Sequence, residues 1–210
     1  MFVANRMQRR VPTIARGATL KEAVDLMEQA GVEALPVTEE GQVLAGVVTM
    51  EQIMAYLRRT CDYATLEKVP VEAVMGPAVS VGADDIIEEA AFWMQKHGVD
   101  ALPVVDEGGR PIGLITQKIL YATLVEMMGL RQRGSRITLF VEDRVGVLAE
   151  VAEIVRRHRV AIASLATFVP PDRPRFVQVV VRLRTEEPEP IVEALRREGF
   201  TVTHVSQVWE

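Results

Sequence analysis

The sequence predicts a mixed α+β (α/β mixed) protein in two parts: a pair of repeated units over residues 1–60 and 61–129, and a ferredoxin-like βαββαβ domain over residues 135–210. Three observations carry that expectation. The phrase GVEALPV at 31–37 returns as GVDALPV at 98–104. Aligned without a gap at that separation of 67 residues, Gly41, Gly46 and Thr49 fall on Gly108, Gly113 and Thr116, and Leu20, Ala23, Val24 and Met27 fall on Ile87, Ala90, Ala91 and Met94. Beyond Gly129 the periodicity changes to strand, helix, two strands, helix and strand, the order of a ferredoxin-like unit. A repeat of this length marks a unit that cannot bury its apolar face alone. Two copies therefore predict an intramolecular pair.

The first unit opens with an extended stretch, VPTI at 11–14, and a turn at Arg16-Gly17. Thr19-Leu-Lys-Glu22 is a capping-box sequence, in which hydroxyl and carboxylate satisfy the unpaired amides of a helix start. The spacing of Leu20, Ala23, Val24 and Met27 lines one helical face and predicts a helix to about Ala30, stopped by Gly31. The valine-rich runs EALPV and VLAGVVT, separated by a turn at 39–41, predict two strands. MEQIMAYLRR at 50–59 closes the unit as a helix, and 60–74 leads to the second copy. There Asp85 with Glu88 takes the place of the cap, VDALPV and PIGLIT supply the strands, and 117–128 forms the closing helix. In the third domain the expected elements are a strand at 136–141, a helix at 146–158, strands at 160–169 and 175–184, a helix at 190–198 and a strand at 201–209.

A composition of 49% hydrophobic and 25% charged residues is that of a globular chain with enough apolar material for a core. The net charge of -5 lacks the clustered basic face that nucleic-acid binding requires, so no nucleic-acid partner is expected. With neither a membrane-length apolar run nor the apolar core of a secretory signal, the chain reads as cytoplasmic with no membrane partner. Cys61 stands alone, and the three histidines have no carboxylate or cysteine at ligand spacing, so no metal site is expected. The sequence contains no nucleophile elbow, P-loop, H-E-x-x-H or C-x-x-C. No catalytic residue and no catalytic cofactor are expected, and the chain does not read as an enzyme.

The capped helix, the phrase G-V-x-A-L-P-V and a strand ending G-V-V-T or G-L-I-T resemble the CBS domain, a ligand-sensing module that works as a tandem pair, the Bateman module. The C-terminal part resembles the ACT domain, whose loop Asp-Arg-Pro-Gly-x-Leu is matched by Asp143-Arg144-Val145-Gly146-Val147-Leu148. A CBS-CBS-ACT chain is similar to the acetoin utilisation protein AcuB family. That resemblance implies an adenine nucleotide such as AMP, ADP or ATP, or S-adenosylmethionine, in the cleft of the pair. Strand-edge backbone reads the adenine, apolar side chains sandwich it, and an acid in T-x-x-D accepts both ribose hydroxyls. The candidates are Thr13, Val32, Glu33, Ala34 and Thr49, with Ser80, Val99, Asp100, Ala101 and Thr116 as counterparts.

The acid position itself holds Gln52 in one copy and Ile119 in the other. A hydrogen bond to a charged group is worth about 1.5 to 3 kcal/mol, and about 1.4 kcal/mol is tenfold in affinity, so this loss weakens ribose binding roughly ten- to a hundredfold. Gln52 keeps an acceptor in its amide oxygen and marks the better ribose site, while Lys118 is placed to meet a phosphate. Thr49 and Thr116 also read as N-caps of the helices that follow. In the third domain, Asp143, Arg144, Gly146 and Ile162 are the effector-loop candidates for an amino acid at a subunit interface. The family's Pro and Asn are replaced there by Val145 and Ala161, which favours an interface without a ligand. The expectation is a homodimeric, allosteric, ligand-sensing regulator acting on an unknown partner enzyme. The alternative is an assembly adaptor whose ligand sites have decayed.

Overall fold

Thr19 opens the first long helix through the capping box written in the sequence. Its hydroxyl accepts the Glu22 N–H at 3.2 Å, and the Glu22 carboxylate accepts the Thr19 N–H at 2.7 Å. The helix α1 (Leu20–Ala30) ends at Gly31, whose φ of 64° is the left-handed conformation glycine adopts freely. These features come from a computed structural model that describes residues 1–39, 42–61 and 63–208. Part of the expected turn, at 40–41, and the end of the expected last strand, at 209, lie outside the described residues. The chain divides into two units, Met1–Tyr121 and Ala122–Glu210.

In the first unit each repeat builds the same small sheet. The first repeat places β2 (Ile14–Ala15) parallel to β3 (Ala34–Thr38), which pairs antiparallel with β4 (Leu44–Thr49) before α2 (Met50–Thr60). The second repeat follows with β5 (Val81–Gly82), α3 (Ile87–His97), β6 (Ala101–Val105), β7 (Pro111–Thr116) and the start of α4 (Gln117–Met127), a helix that the unit boundary after Tyr121 divides. The registers coincide, with Ala34 opposite Thr49 and Ala101 opposite Thr116, and an irregularity at Val37/Thr38 recurs at Val104/Val105. The expected extended stretch at 11–14 is reduced to the two-residue β2, and β5 is equally short. The expected Asp85–Glu88 cap does not form. The N-cap of α3 is Ile86, and the Asp85 carboxylate accepts the Gly82 N–H at 2.7 Å instead.

Each repeat's core is completed by the segment that precedes the other repeat. The turn at Val3–Asn5 and the strand β1 (Gln8–Arg9) pack on the second repeat: Val3 is fully buried in its core, and β1 adds to β7. The Val3 N–H donates to the Asp85 carbonyl and the Ala4 N–H to the Ala83 carbonyl, both at 2.8 Å. The turn at Val71–Ala73 does the same for the first repeat, where Val71 is fully buried. Its Val71 N–H donates to the Ala18 carbonyl at 2.7 Å and its Glu72 N–H to the Arg16 carbonyl at 3.0 Å. The repeats meet through Ala34, Val47, Ala101 and Leu114, all buried, the alanines allowing close approach.

The second unit is the βαββαβ arrangement expected. β8 (Gly134–Glu142), α5 (Val147–Arg157), β9 (Ile162–Phe168), β10 (Phe176–Leu183), α6 (Glu189–Arg197) and β11 (Thr201–Val208) form an antiparallel sheet of order β11-β8-β10-β9. Alternate residues of β8 and β10, such as Ile137, Leu139, Val179 and Val181, point to one face, the period of two that a strand imposes. They pack against Val151, Ile154 and Val155 of α5 and Ile191 and Leu195 of α6.

Candidate functional site

The strand geometry leaves backbone open where a planar ligand would need it. β2 and β5 pair only with Val37–Thr38 and Val104–Val105. Among the described residues, no strand lies on that side of Ala34–Pro36 or Ala101–Pro103. Pro36 and Pro103 suit such places, since a missing N–H costs nothing on an unpaired side.

Two clefts lie along these stretches, and each is built across the repeats. The first, about 290 Å³, joins Thr49, Glu51, Gln52 and Ala55 to Gly98, Val99, Asp100 and Ala101, with Gly76, Pro77 and Val79 from the connecting segment. The second, about 730 Å³, joins Thr116, Gln117, Lys118, Ile119 and Tyr121 to Gly31, Val32, Glu33 and Ala34, with Gln8, Thr49, Met50, Glu51, Asp100 and Ala101 completing its wall. Ten of the sequence-expected residues are thus placed along one cleft or the other, but their grouping differs from the expectation. Gln52 lines the first cleft with Val99, Asp100 and Ala101 rather than with Val32–Ala34, and Thr49 lines both clefts. Thr13, which is exposed, and Ser80, which is half-buried, are not among the residues lining either cleft. Periodicity within one repeat cannot show which half of a site the other repeat supplies. Gly76, Pro77 and Gln8 escaped for the same reason.

Gln52 takes a role different from the one expected. Its amide oxygen accepts the Thr49 N–H at 2.9 Å, and the Thr49 hydroxyl accepts the Gln52 N–H at 3.2 Å, a complete capping box. Its Nε2 lies against Gly76, 2.8 Å from where a Cβ on that glycine would stand. One lone pair of the oxygen expected as a ribose acceptor is therefore taken by the helix start, and the amide nitrogen adds a donor beside it. Thr116 likewise caps α4, its hydroxyl accepting the Ile119 N–H at 3.3 Å. In the first cleft the charged lining residues are Glu51 and Asp100, with no Lys, Arg or His among the described ones. The second has Glu33, Glu51 and Asp100 against Lys118. Asp100 also accepts a short hydrogen bond from the Gln117 amide.

In the second unit, the Asp143 N–H donates to the Arg175 carbonyl at 2.9 Å, and Gly146, at φ 90°, starts α5 without a side-chain cap. Arg144 is held by Glu150 through two hydrogen bonds of 2.6 and 2.5 Å. Those bonds lower the Glu150 pKa and raise that of Arg144. Arg144 lines a cleft of about 250 Å³ with Phe140, Phe176 and Phe200, which does not include Asp143, Gly146 or Ile162. Ile162 sits at the start of β9, partly packed on the core. Among the described residues, no cluster of His, Cys, Asp and Glu is placed to hold a metal ion, and no helix is long and apolar enough to cross a membrane.

Equivalent clefts formed between two copies of one unit, followed by a ferredoxin-like domain, define a paired-repeat regulatory module. The chain belongs to the CBS-domain family: residues 3–59 and 71–126 match the CBS domain, and residues 135–200 match the ACT domain. The CBS domain-containing protein YhcV of Bacillus subtilis is 31% identical over 137 residues, which are 65% of this chain and 92% of that protein. A homoserine O-acetyltransferase of Methanosphaerula palustris is 34% identical over 115 residues, and the match spans 55% of this chain but 22% of the enzyme. Among solved structures, the AcuB protein of Vibrio cholerae, assigned to acetoin utilization, is 27% identical with a TM-score of 0.51, covering 62% of this chain and 95% of its own. A CBS-domain pair solved with 5′-methylthioadenosine and S-adenosyl-L-methionine shares the fold at 22% identity and a TM-score of 0.51, over 59% of this chain and 95% of that one.

Proposed function

We propose that this chain is a non-enzymatic ligand sensor whose CBS pair takes an adenine nucleotide or S-adenosylmethionine. The supporting observation is the pair of cross-repeat clefts, each combining the helix start of one repeat with the open strand backbone of the other. In this reading Val32, Glu33, Ala34, Val99, Asp100 and Ala101 contact the base, while Thr49, Gln52, Thr116 and Lys118 lie toward the sugar and its substituent. Because each cleft bridges both repeats, a ligand favours one packing of the pair over another, the differential affinity a two-state sensor needs. The reading includes a cytoplasmic homodimer: among the described residues β9 and β11 are the edges of the ACT sheet, and a second copy can cover their open backbone groups. The link to acetoin utilisation rests on the likeness to AcuB.

Titration of the full chain with AMP, ADP, ATP and S-adenosylmethionine in a calorimeter tests the sensor. Saturable heat from at least one of them is expected, and silence from all four at millimolar concentration favours the second reading. That reading, an assembly adaptor for a partner enzyme, draws on the Gln52 oxygen being engaged by the helix cap and on Ile119 in the other acid position. In the ACT domain, the Arg144–Glu150 pair favours a dimer interface over amino-acid capture, since the arginine is already matched to a carboxylate.

A further inference from the structure

We infer that the first cleft selects an adenosyl compound whose 5′ substituent is uncharged or cationic, and discriminates against nucleoside polyphosphates. The inference rests on the adenine-nucleoside reading above and narrows it to a chemical class. Three features combine. The charged residues lining the first cleft are two acids, Glu51 and Asp100, with no Lys, Arg or His among the described ones, whereas Lys118 lies in the second cleft. Both are exposed, so salt screens them, and at low ionic strength a polyphosphate meets like charge. Volume is the second feature, since the first cleft, about 290 Å³, stands at the small end of the roughly 300–1,000 Å³ common for ligand pockets. It suits a nucleoside with a compact tail.

The third feature is the start of α2. A helix N-terminus normally attracts phosphate through its free amides and dipole. Here the Gln52 N–H is already satisfied by the Thr49 hydroxyl, and Glu51 occupies the first turn with a charge of the same sign as phosphate. The corresponding position of the other repeat, 67 residues on, is Lys118. The chain has thus placed an acid in the first cleft where its own second copy carries a base.

The test is a calorimetric comparison of 5′-methylthioadenosine, S-adenosylmethionine, AMP and magnesium-free ATP on the full chain at two salt concentrations. Binding of methylthioadenosine or S-adenosylmethionine at least tenfold tighter than ATP is expected, with the gap narrowing at higher salt. Glu51→Lys narrows or reverses the preference, and Glu51→Gln moves it part of the way, with thermal melts reporting that each variant is folded. ATP binding as tightly as the uncharged and cationic ligands, both in the parent and after Lys118→Gln removes the second cleft's base, would overturn the selectivity while leaving the nucleoside site intact. Failure of all four to bind removes the nucleoside reading and this inference with it.

Discussion

The two CBS repeats share a core and differ at their helix starts, and the difference separates what packing fixes from what it leaves free. Leu35 and Leu102, Val37 and Val104, and Val48 and Ile115 are all fully buried at matching positions. The surface positions at the starts of the helices diverge. α1 opens with a complete capping box, whereas α3 opens at Ile86 with no side-chain cap. What both share is a backbone acceptor from the exchanged segment: the Leu20 N–H donates to the Val69 carbonyl and the Ile87 N–H to the Met1 carbonyl, each at 2.9 Å. With one amide satisfied from outside, and Glu88 and Glu89 complementing the helix dipole, α3 forms without its own cap.

The largest effects test whether the cores are equivalent. Leu35→Ala and Leu102→Ala each remove a fully buried side chain, and each is expected to cost about 2 to 5 kcal/mol in urea unfolding of the full chain. A loss confined to one of them would break the symmetry. Next come the paired glycines at the exchanged segments. A Cβ on Gly46 would stand 2.5 Å from the Gly76 carbonyl oxygen, and one on Gly113 would stand 2.8 Å from the Met7 sulfur and 2.9 Å from the Gln8 carbonyl oxygen. Alanine at either position is expected to cost about 1 to 3 kcal/mol. The cost is larger at Gly46, where the nearest obstacle is backbone rather than a pliable methionine. Equal stability of either variant and the parent would show that the crossing segments are not held against the sheets.

Those glycines mark the limit of what the sequence reveals. Their recurrence is visible in the repeat alignment, but its cause is the exchanged segment, whose own signature, Val3 and Met7 against Val71 and Met75, is shifted to a separation of 68 residues. Helices and strands were legible because their periodicity is local. The assembly of each cleft from both repeats is a tertiary pairing with no local trace. The cap on α2 had a readable signal, since Thr49-Met-Glu-Gln52 is itself a capping-box sequence; the N-cap expected at Thr49 forms, and Gln52 is its partner. Asp85–Glu88 misled in the opposite sense: the repeat alignment already put the N-cap one residue later, at the counterpart of Thr19.

The smallest effect sharpens the comparison at the helix starts. Thr19→Ala is expected to cost about 1 kcal/mol, and Ile86→Thr, which gives the second repeat the residue of the first, to gain about 0.5 to 1 kcal/mol. The first of these carries a pH signature. Hydrogen bonds from the Thr19 backbone and hydroxyl hold the Glu22 pKa below its ordinary value, so the folded state binds that proton less readily than the unfolded chain. The stabilisation from the ionised carboxylate is therefore present above the unfolded carboxylate range, near pH 4.3, and is lost as pH falls through the lower folded value. Wild type and Thr19→Ala should differ most near neutral pH and approach each other in acid, as read by thermal melts across that range. A constant gap would mean that the hydroxyl does not shift the titration of the carboxylate, leaving the backbone hydrogen bond, which Thr19→Ala retains, as the cause of the lowered pKa.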